Sequence, residues 1–119
     1  MRVVEQKIKD AIAQQKTVRT VNTKCIYDIS ANRCSVYLFG NLIAIINYND
    51  NNKIKSVRYT FARWQSVTTI SRLRHCIPYT SISCIKGQYI CNNLKVNSID
   101  WIHLQIENDV VILALIDKN

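Results

Sequence analysis

The chain has 119 residues, of which 48% are apolar and 20% charged, and its formal net charge at pH 7 is +8. A chain of this length can bury one substantial core, and this composition excludes global disorder. Its longest apolar run, residues 110–116, is shorter than the ~18 residues that a membrane-spanning helix needs. The N-terminal sequence does not have the pattern of a signal peptide. We therefore expect one domain over residues 1–119, with no membrane partner.

The first half of the chain predicts a helix followed by strands. Val4, Ile8 and Ile12 recur every four residues, which indicates an amphipathic helix from about residue 3 to 16. The segments that follow either alternate between apolar and polar residues or are rich in β-branched residues. Gly40-Asn41 is a two-residue hairpin signal. They predict an antiparallel meander of about four strands, at residues 24–30, 34–39, 42–48 and 53–62.

The second half predicts one more helix and further strands. Ser66 or Thr68 can cap a short helix near 68–77, which Pro78 ends. Its apolar face contains Leu73, whereas Arg72 is expected to point away from the core. Strands are predicted at 81–86, 88–91, 101–106 and 110–116, the last of them covered on both faces because it is continuously apolar. The fold class is therefore α+β, with an antiparallel sheet of about six to eight strands and two helices packed on it.

No catalytic or metal-binding pattern is evident. The two glycines are isolated, and the sequence contains neither a CxxC nor an HxxxH spacing. His75 and Cys76 are adjacent, and neighbouring helical residues point about 100° apart, which argues against a thiolate–base pair. The five cysteines occur without a secretion signal, which favours reduced thiols in a cytoplasmic compartment. We expect no enzymatic activity, no cofactor and no metal.

Positive charge is concentrated in residues 51–99, which we call the basic segment. It carries eight basic residues and no acidic one. Such a charge favours an anionic partner, either nucleic acid or an acidic protein face, although a solvated surface that keeps the protein soluble explains it equally well. The candidate partner-binding residues are Arg58, Arg63, Trp64, Thr68, Thr69, Arg72, Arg74 and Lys86.

These candidates each have a plausible binding role and a simpler structural one. The arginines could form one patch if the predicted strand and helix lie side by side, and the helix N-terminus near Thr68 and Thr69 could receive a phosphate or carboxylate. Trp64 could stack on a base. A tryptophan at a strand–helix junction is, however, more often a core residue, and hydroxyl residues before a helix are more often caps.

Four motifs give the chain a resemblance to a known group of proteins. They are LFGNLIA (38–44), RWQSVTTISRL (63–73), CIKGQYIC (84–91) and a later tryptophan, Trp101. In order and spacing they resemble a family of small uncharacterised bacteriophage proteins with the pattern GW-x-T-x-TT-x-x-RLN. The chain departs from that pattern at Arg63, Ile70 and Arg74, and two of these three departures add positive charge.

The resemblance implies a phage origin and a binding role rather than catalysis. Small phage proteins often block a host defence complex, such as a CRISPR effector, or engage nucleic acid. The leading hypothesis is a non-enzymatic, anti-CRISPR-like inhibitor of a host defence or nucleic-acid-handling complex, acting in the cytoplasm of the host bacterium. The alternatives are a sequence-independent nucleic-acid-binding accessory protein and a structural or assembly oligomer, such as a homodimer formed through residues 110–116.

Overall fold

The computed structural model describes residues 2–64 and 66–117, and these residues form two helices and ten strands. The elements in chain order are α1 (Val3–Gln14), β1 (Val18–Arg19), β2 (Thr23–Asp28), β3 (Arg33–Leu38), β4 (Asn41–Tyr48), β5 (Ile54–Thr60), α2 (Val67–Cys76), β6 (Ile82–Ile85), β7 (Gln88–Cys91), β8 (Leu94–Val96), β9 (Trp101–Glu107) and β10 (Val110–Asp117). The predicted α+β class is confirmed, and no described helix is long and apolar enough to cross a membrane.

The main sheet has seven antiparallel strands in the order β1-β2-β3-β4-β5-β9-β10. Strands β1 to β5 follow one another as an antiparallel meander, of which β2 to β5 were predicted, and β9 then pairs with β5. The helix α2 and a separate three-stranded sheet, β6-β7-β8, are inserted between these two neighbours. The single predicted sheet is thus divided into seven and three strands, and the short strands β1 and β8 were not predicted.

Two-residue turns close several of the hairpins. Phe39 and Gly40 connect β3 to β4 with φ of 50° and 80°, and Lys86 and Gly87 connect β6 to β7 with φ of 51° and 78°. Two consecutive positive φ angles define the type I′ turn, whose twist matches that of the strands. The predicted hairpin signal is confirmed, but the turn lies one residue earlier than Gly40-Asn41.

The core lies between one face of the main sheet and the helices. Alternate residues of the central strands, such as Val36, Ile46 and Val57, are fully buried and pack with Ile8 of α1 and Leu73 of α2. Residues on the opposite face of the sheet are half-buried, which is the alternation expected of an antiparallel sheet with one covered face.

The strand β10 differs from its prediction. It forms one edge of the main sheet and pairs only with β9 among the described residues. Several of its apolar side chains are exposed, including Ile112 and Leu113. The expectation that both of its faces are covered is therefore wrong, because a continuous apolar run does not distinguish a central strand from an exposed edge.

Candidate functional site at the loop end of the main sheet

The predicted site residue Arg72 lies in the interior. Its side chain is about 4% exposed and forms an ion pair with Glu5 of α1, with 2.9 Å between Nη1 and Oε2. It also donates hydrogen bonds to Thr23 (Nε to Oγ1, 3.0 Å) and Asn22 (Nη2 to Oδ1, 3.4 Å). The prediction that Arg72 points away from the core is wrong. The carboxylate that pairs with it in the interior, Glu5, is 67 residues distant in sequence.

The Glu5 carboxylate is the centre of this α1–α2 junction. Burial by itself would raise the pKa of Glu5, but hydrogen bonds from Ser71, the Arg2 backbone and Arg72, together with the Arg72 charge, outweigh burial and lower the pKa below its ordinary value of 4.5. Burial also raises the pKa of the neighbouring Cys76 thiol to about 12, and the Glu5 charge adds to the effect. Cys76 is therefore a protonated core residue at neutral pH.

Arg58 is held against its own sheet. Its Nη2 lies 2.6 Å from Asp117 Oδ2, and its guanidinium group lies 5.4 Å from the centre of the Trp101 ring. Its Nε is buried and has no hydrogen-bond partner among the described residues. Arg58 consequently has less freedom to engage a partner than an open surface arginine has.

The remaining predicted cations do not share one surface with Arg63. Arg74 is exposed near the C-terminal end of α2 and donates to the Ile82 carbonyl (Nη2 to O, 3.0 Å), whereas Arg63 precedes the N-terminal end of that helix. A helix of this length spans roughly 15 Å. Lys86 lies in a turn of the three-stranded sheet. The structure therefore does not gather the five predicted cations into one patch.

Arg63 and Trp64 lie together at one end of the main sheet, which we call the loop end. It comprises the Phe39-Gly40 turn, residues 61–64, the N-terminal end of α2 and residues 97–101. A hydrogen bond from the Arg63 backbone N–H to the Ser98 carbonyl (2.8 Å) ties two of these segments together. Both the Arg63 and the Trp64 side chains are exposed, and Trp64 is 63% exposed. The core role considered for Trp64 is thus excluded.

An apolar cleft opens at the loop end. It has a volume of about 300 Å³ and is lined chiefly by Leu38, Phe39, Ile43, Phe61 and Trp64. Phe39 lines the cleft and is 69% exposed. A cleft of this size and lining can receive an apolar side chain of a partner protein.

A second concavity adjoins the cleft and shares Trp64 with it. This groove has a volume of about 470 Å³ and lies between Trp64 and Trp101, with Arg63, Thr60 and Ile99 in its walls. None of the described residues that line the cleft or the groove is acidic. The groove therefore combines aromatic side chains with the positive charge of Arg63, while Asp100 of the loop end lies outside the lining and accepts a hydrogen bond from the Asn97 backbone N–H.

The hydroxyl residues near the start of α2 have different surroundings. Ser66 is the N-cap of α2, and its Oγ accepts a hydrogen bond from the Thr69 backbone N–H at 3.1 Å. Thr69 is buried beneath the cleft, whereas Thr68 is half-buried on the helix. Of the two predicted caps, Ser66 and Thr68, the structure has Ser66. This cap satisfies one of the free N–H groups that an anion would otherwise bind.

Several residues of the loop end were not predicted. Phe39, Val67 and Ile99 are exposed apolar residues from separate segments of the chain. Phe39 belongs to the predicted strand 34–39 rather than to the predicted turn, so no sequence signal distinguishes it. Among the described residues, no group of three or more His, Cys, Asp or Glu side chains could hold a metal ion.

Comparison with known proteins gives the chain its family. The model of one family, described as Kyanoviridae Gp96 protein, matches residues 1–108. The chain belongs to this family. It is therefore a viral protein of a phage family, which confirms the origin implied by the sequence resemblance, while the tryptophan–threonine–arginine motif remains a prediction. No curated protein and no solved structure matches the chain.

Proposed function

We propose that the chain is a non-enzymatic phage protein that binds a protein of the infected bacterium and thereby inhibits a defence or nucleic-acid-handling complex. The observation that carries the proposal is the backbone conformation and the exposure of Phe39. Its φ of 50° lies in the left-handed region, which costs a non-glycine residue roughly 1–2 kcal/mol. The residue is 69% exposed, so burial within the chain does not compensate that cost. Lys86 has nearly the same φ in the β6–β7 turn, so what distinguishes Phe39 is a bulky apolar side chain exposed beside an apolar cleft. Exposed apolar surfaces of this kind mark sites of protein–protein contact.

The chemistry of the loop end indicates the kind of partner. An apolar or aromatic anchor of the partner would enter the cleft between Phe39 and Trp64 and exclude water there, as binding hot spots do. Arg63 beside the groove, with no carboxylate among the described lining residues, favours an acidic rim around that anchor. The most specific form of this proposal is an anti-CRISPR-like inhibitor that occupies an acidic surface of an effector complex in the bacterial cytoplasm, without a cofactor.

Affinity purification from a lysate of the host bacterium tests the proposal. The bait proteins are the wild-type chain, a Phe39→Asn/Trp64→Ala double variant and an Ile29→Ala control, each used with and without nuclease treatment. Ile29 is a matched control because it is exposed at the β2–β3 connection, at the opposite end of the main sheet. We expect the wild type and the control to retain the same host protein after nuclease treatment, and the double variant to lose it.

Two outcomes would contradict this function. If the double variant retains the host protein, the loop end is not the binding surface. If retention by the wild type disappears on nuclease treatment, the chain binds nucleic acid, which is the second candidate function. That candidate rests on the excess positive charge, and its affinity should fall steeply with salt, but Arg58 and Arg72 are already engaged within the chain.

A further inference from the structure

A further concavity shares Phe39 with the apolar cleft, and we call it the basic groove. It has a volume of about 330 Å³, and its lining includes the β1–β2 turn (residues 20–22), Arg19, Lys24 and Tyr37. None of the described residues that line it is acidic. Phe39 therefore lies in the walls of two concavities of different chemistry, one apolar and one positively charged.

The two cations of the basic groove lie directly opposite each other. Arg19 of β1 is paired in register with Lys24 of β2, and like charges in this arrangement destabilise a pair of strands. Both residues are exposed, and neither belongs to an ion pair among the described residues. The Lys24 Nζ lies 5.1 Å from the centre of the Tyr37 ring, which neutralises no charge. An anion bound between the two cations would relieve their repulsion.

Hydrogen bonds fix the basic groove in place beside Phe39. The Phe39 backbone N–H donates to the Asn22 carbonyl (2.8 Å), and the Asn22 Oδ1 accepts from Arg72 Nη2 of the buried junction (3.4 Å). Within the turn, Thr20 Oγ1 donates to the Thr23 carbonyl (2.6 Å) and accepts from the Thr23 N–H (3.1 Å). Because the turn is already ordered, binding there loses little conformational entropy.

The two concavities together select a peptide as the occupant. Opposed Arg and Lys side chains bind carboxylates or phosphates, whereas the apolar cleft receives an apolar side chain. A nucleic acid supplies phosphates, but the donors and acceptors of its bases would be left largely unpaired in a cleft lined chiefly by apolar side chains. A peptide that has an apolar residue close to acidic ones supplies both chemistries. Because Phe39 lines both concavities, one short segment can reach them.

We infer that the partner is bound through one acidic segment, whose apolar side chain enters the cleft while its carboxylates engage Arg19 and Lys24 in the basic groove. The inference rests on the proposed function, since it specifies the chemistry of the partner at that same site. It also adds two binding residues that lie outside the basic segment and were not among the predicted site residues.

Fluorescence anisotropy with labelled peptides tests the inference on the purified protein. Each peptide has one phenylalanine among glutamates and glycines in a different order, and a matched set has lysine in place of glutamate. The wild type should bind at least one glutamate peptide and no lysine peptide. Arg19→Glu/Lys24→Glu should bind that glutamate peptide about tenfold more weakly and should bind a lysine peptide instead. This gain shows that the variant is folded and that charge decides the binding.

A second charge reversal serves as the matched control. Lys53→Glu/Lys55→Glu makes the same change of charge at two exposed residues near the start of β5, at the opposite end of the main sheet from the loop end. This control should bind the glutamate peptide as the wild type does. In the host-lysate purification described above, it should retain the host protein, whereas Arg19→Glu/Lys24→Glu should lose it.

The outcomes separate this inference from the proposed function. The inference is overturned if the wild type binds no peptide of the set, binds the lysine peptides equally well, or retains the host protein after reversal of Arg19 and Lys24. It is also overturned if oligothymidylate binds more tightly than every peptide and loses affinity in that variant, because the two cations then serve nucleic acid. A wild type that binds the glutamate peptide but retains no host protein contradicts the proposed function and leaves the acidic-segment site in place.

Discussion

The α1–α2 junction and the loop end use arginines of the same basic segment in opposite ways. At the junction, Arg72 is buried and bound by Glu5, Thr23 and Asn22. At the loop end, nine residues earlier in the chain, Arg63 is exposed beside Trp64. The first arginine holds two helices on the sheet, and the second is available to a partner. A run of basic residues can therefore contain both scaffold and binding residues, and substitutions should separate them by their effect on stability.

The largest effect should come from Arg72→Ala. The substitution leaves the Glu5 carboxylate buried without its counter-ion, and breaking a buried pair in this way costs about 3–5 kcal/mol. Urea denaturation measures the loss in the free energy of unfolding. Arg74→Ala, two residues away and exposed, serves as the control and should change stability by no more than about 0.5 kcal/mol. Equal losses in the two variants would mean that Arg72 at the junction contributes no more to stability than an exposed arginine does.

The same junction should make the free energy of unfolding depend on pH in the acidic range. Because the pKa of Glu5 is lower in the folded chain than its ordinary value of 4.5, the ionised carboxylate stabilises the fold above that value. This contribution is lost as the pH falls through the lowered pKa. Urea denaturation at a series of pH values from neutral downward should show the decline, and Glu5→Gln should flatten it.

Asp28 supplies the control for that measurement. Its pKa is also lowered, chiefly by a hydrogen bond from Ser30, but it is fully exposed. Asp28→Asn should therefore leave most of the acidic decline in place. If Glu5→Gln and Asp28→Asn flatten the decline equally, the junction carboxylate is not its main source.

At the loop end, one substitution should stabilise the fold while it abolishes binding. Phe39→Asn creates an Asn-Gly pair, which suits the type I′ turn between β3 and β4. Removing an exposed bulky side chain from a left-handed position should raise the free energy of unfolding by about 1 kcal/mol. Thermal unfolding measures the gain, and the host-protein retention described above measures the loss. A destabilised variant would mean that the Phe39 ring supports the core rather than a partner.

The smallest effect on stability should come from Trp64→Ala. Because Trp64 is 63% exposed, its removal should change the free energy of unfolding by no more than about 0.5 kcal/mol. Retention of the host protein should nevertheless fall. A stability loss comparable to that of Arg72→Ala, measured under the same conditions, would assign Trp64 to the scaffold.

Local patterns predicted most of the architecture. The spacing of Val4, Ile8 and Ile12, the cap at Ser66 and the glycine turns each depend on residues close in sequence, and each corresponds to a feature of the structure. The division into two sheets depends on which distant strands pair. No local signal encodes that β9 lies beside β5.

The candidate site was less predictable for the same reason. Arg63 and Trp64 were named from the sequence, but Phe39 and Ile99 reach the loop end from segments about 25 and 35 residues away. Arg72 was misplaced because its polar partner, Glu5, lies in the first helix. A buried arginine and an exposed arginine look alike in sequence when the counter-ion is remote.

The pairing of β9 with β5 also has a consequence for folding kinetics. These neighbours are separated by α2 and the whole three-stranded sheet, so their docking closes a long loop and bears its entropic cost. Contacts of this range generally form slowly, whereas the meander β1 to β5 consists of consecutive hairpins. The groove between Trp64 and Trp101 has one wall on each side of that closure. A newly synthesised chain therefore cannot assemble this groove until β9 has been made and has paired with β5.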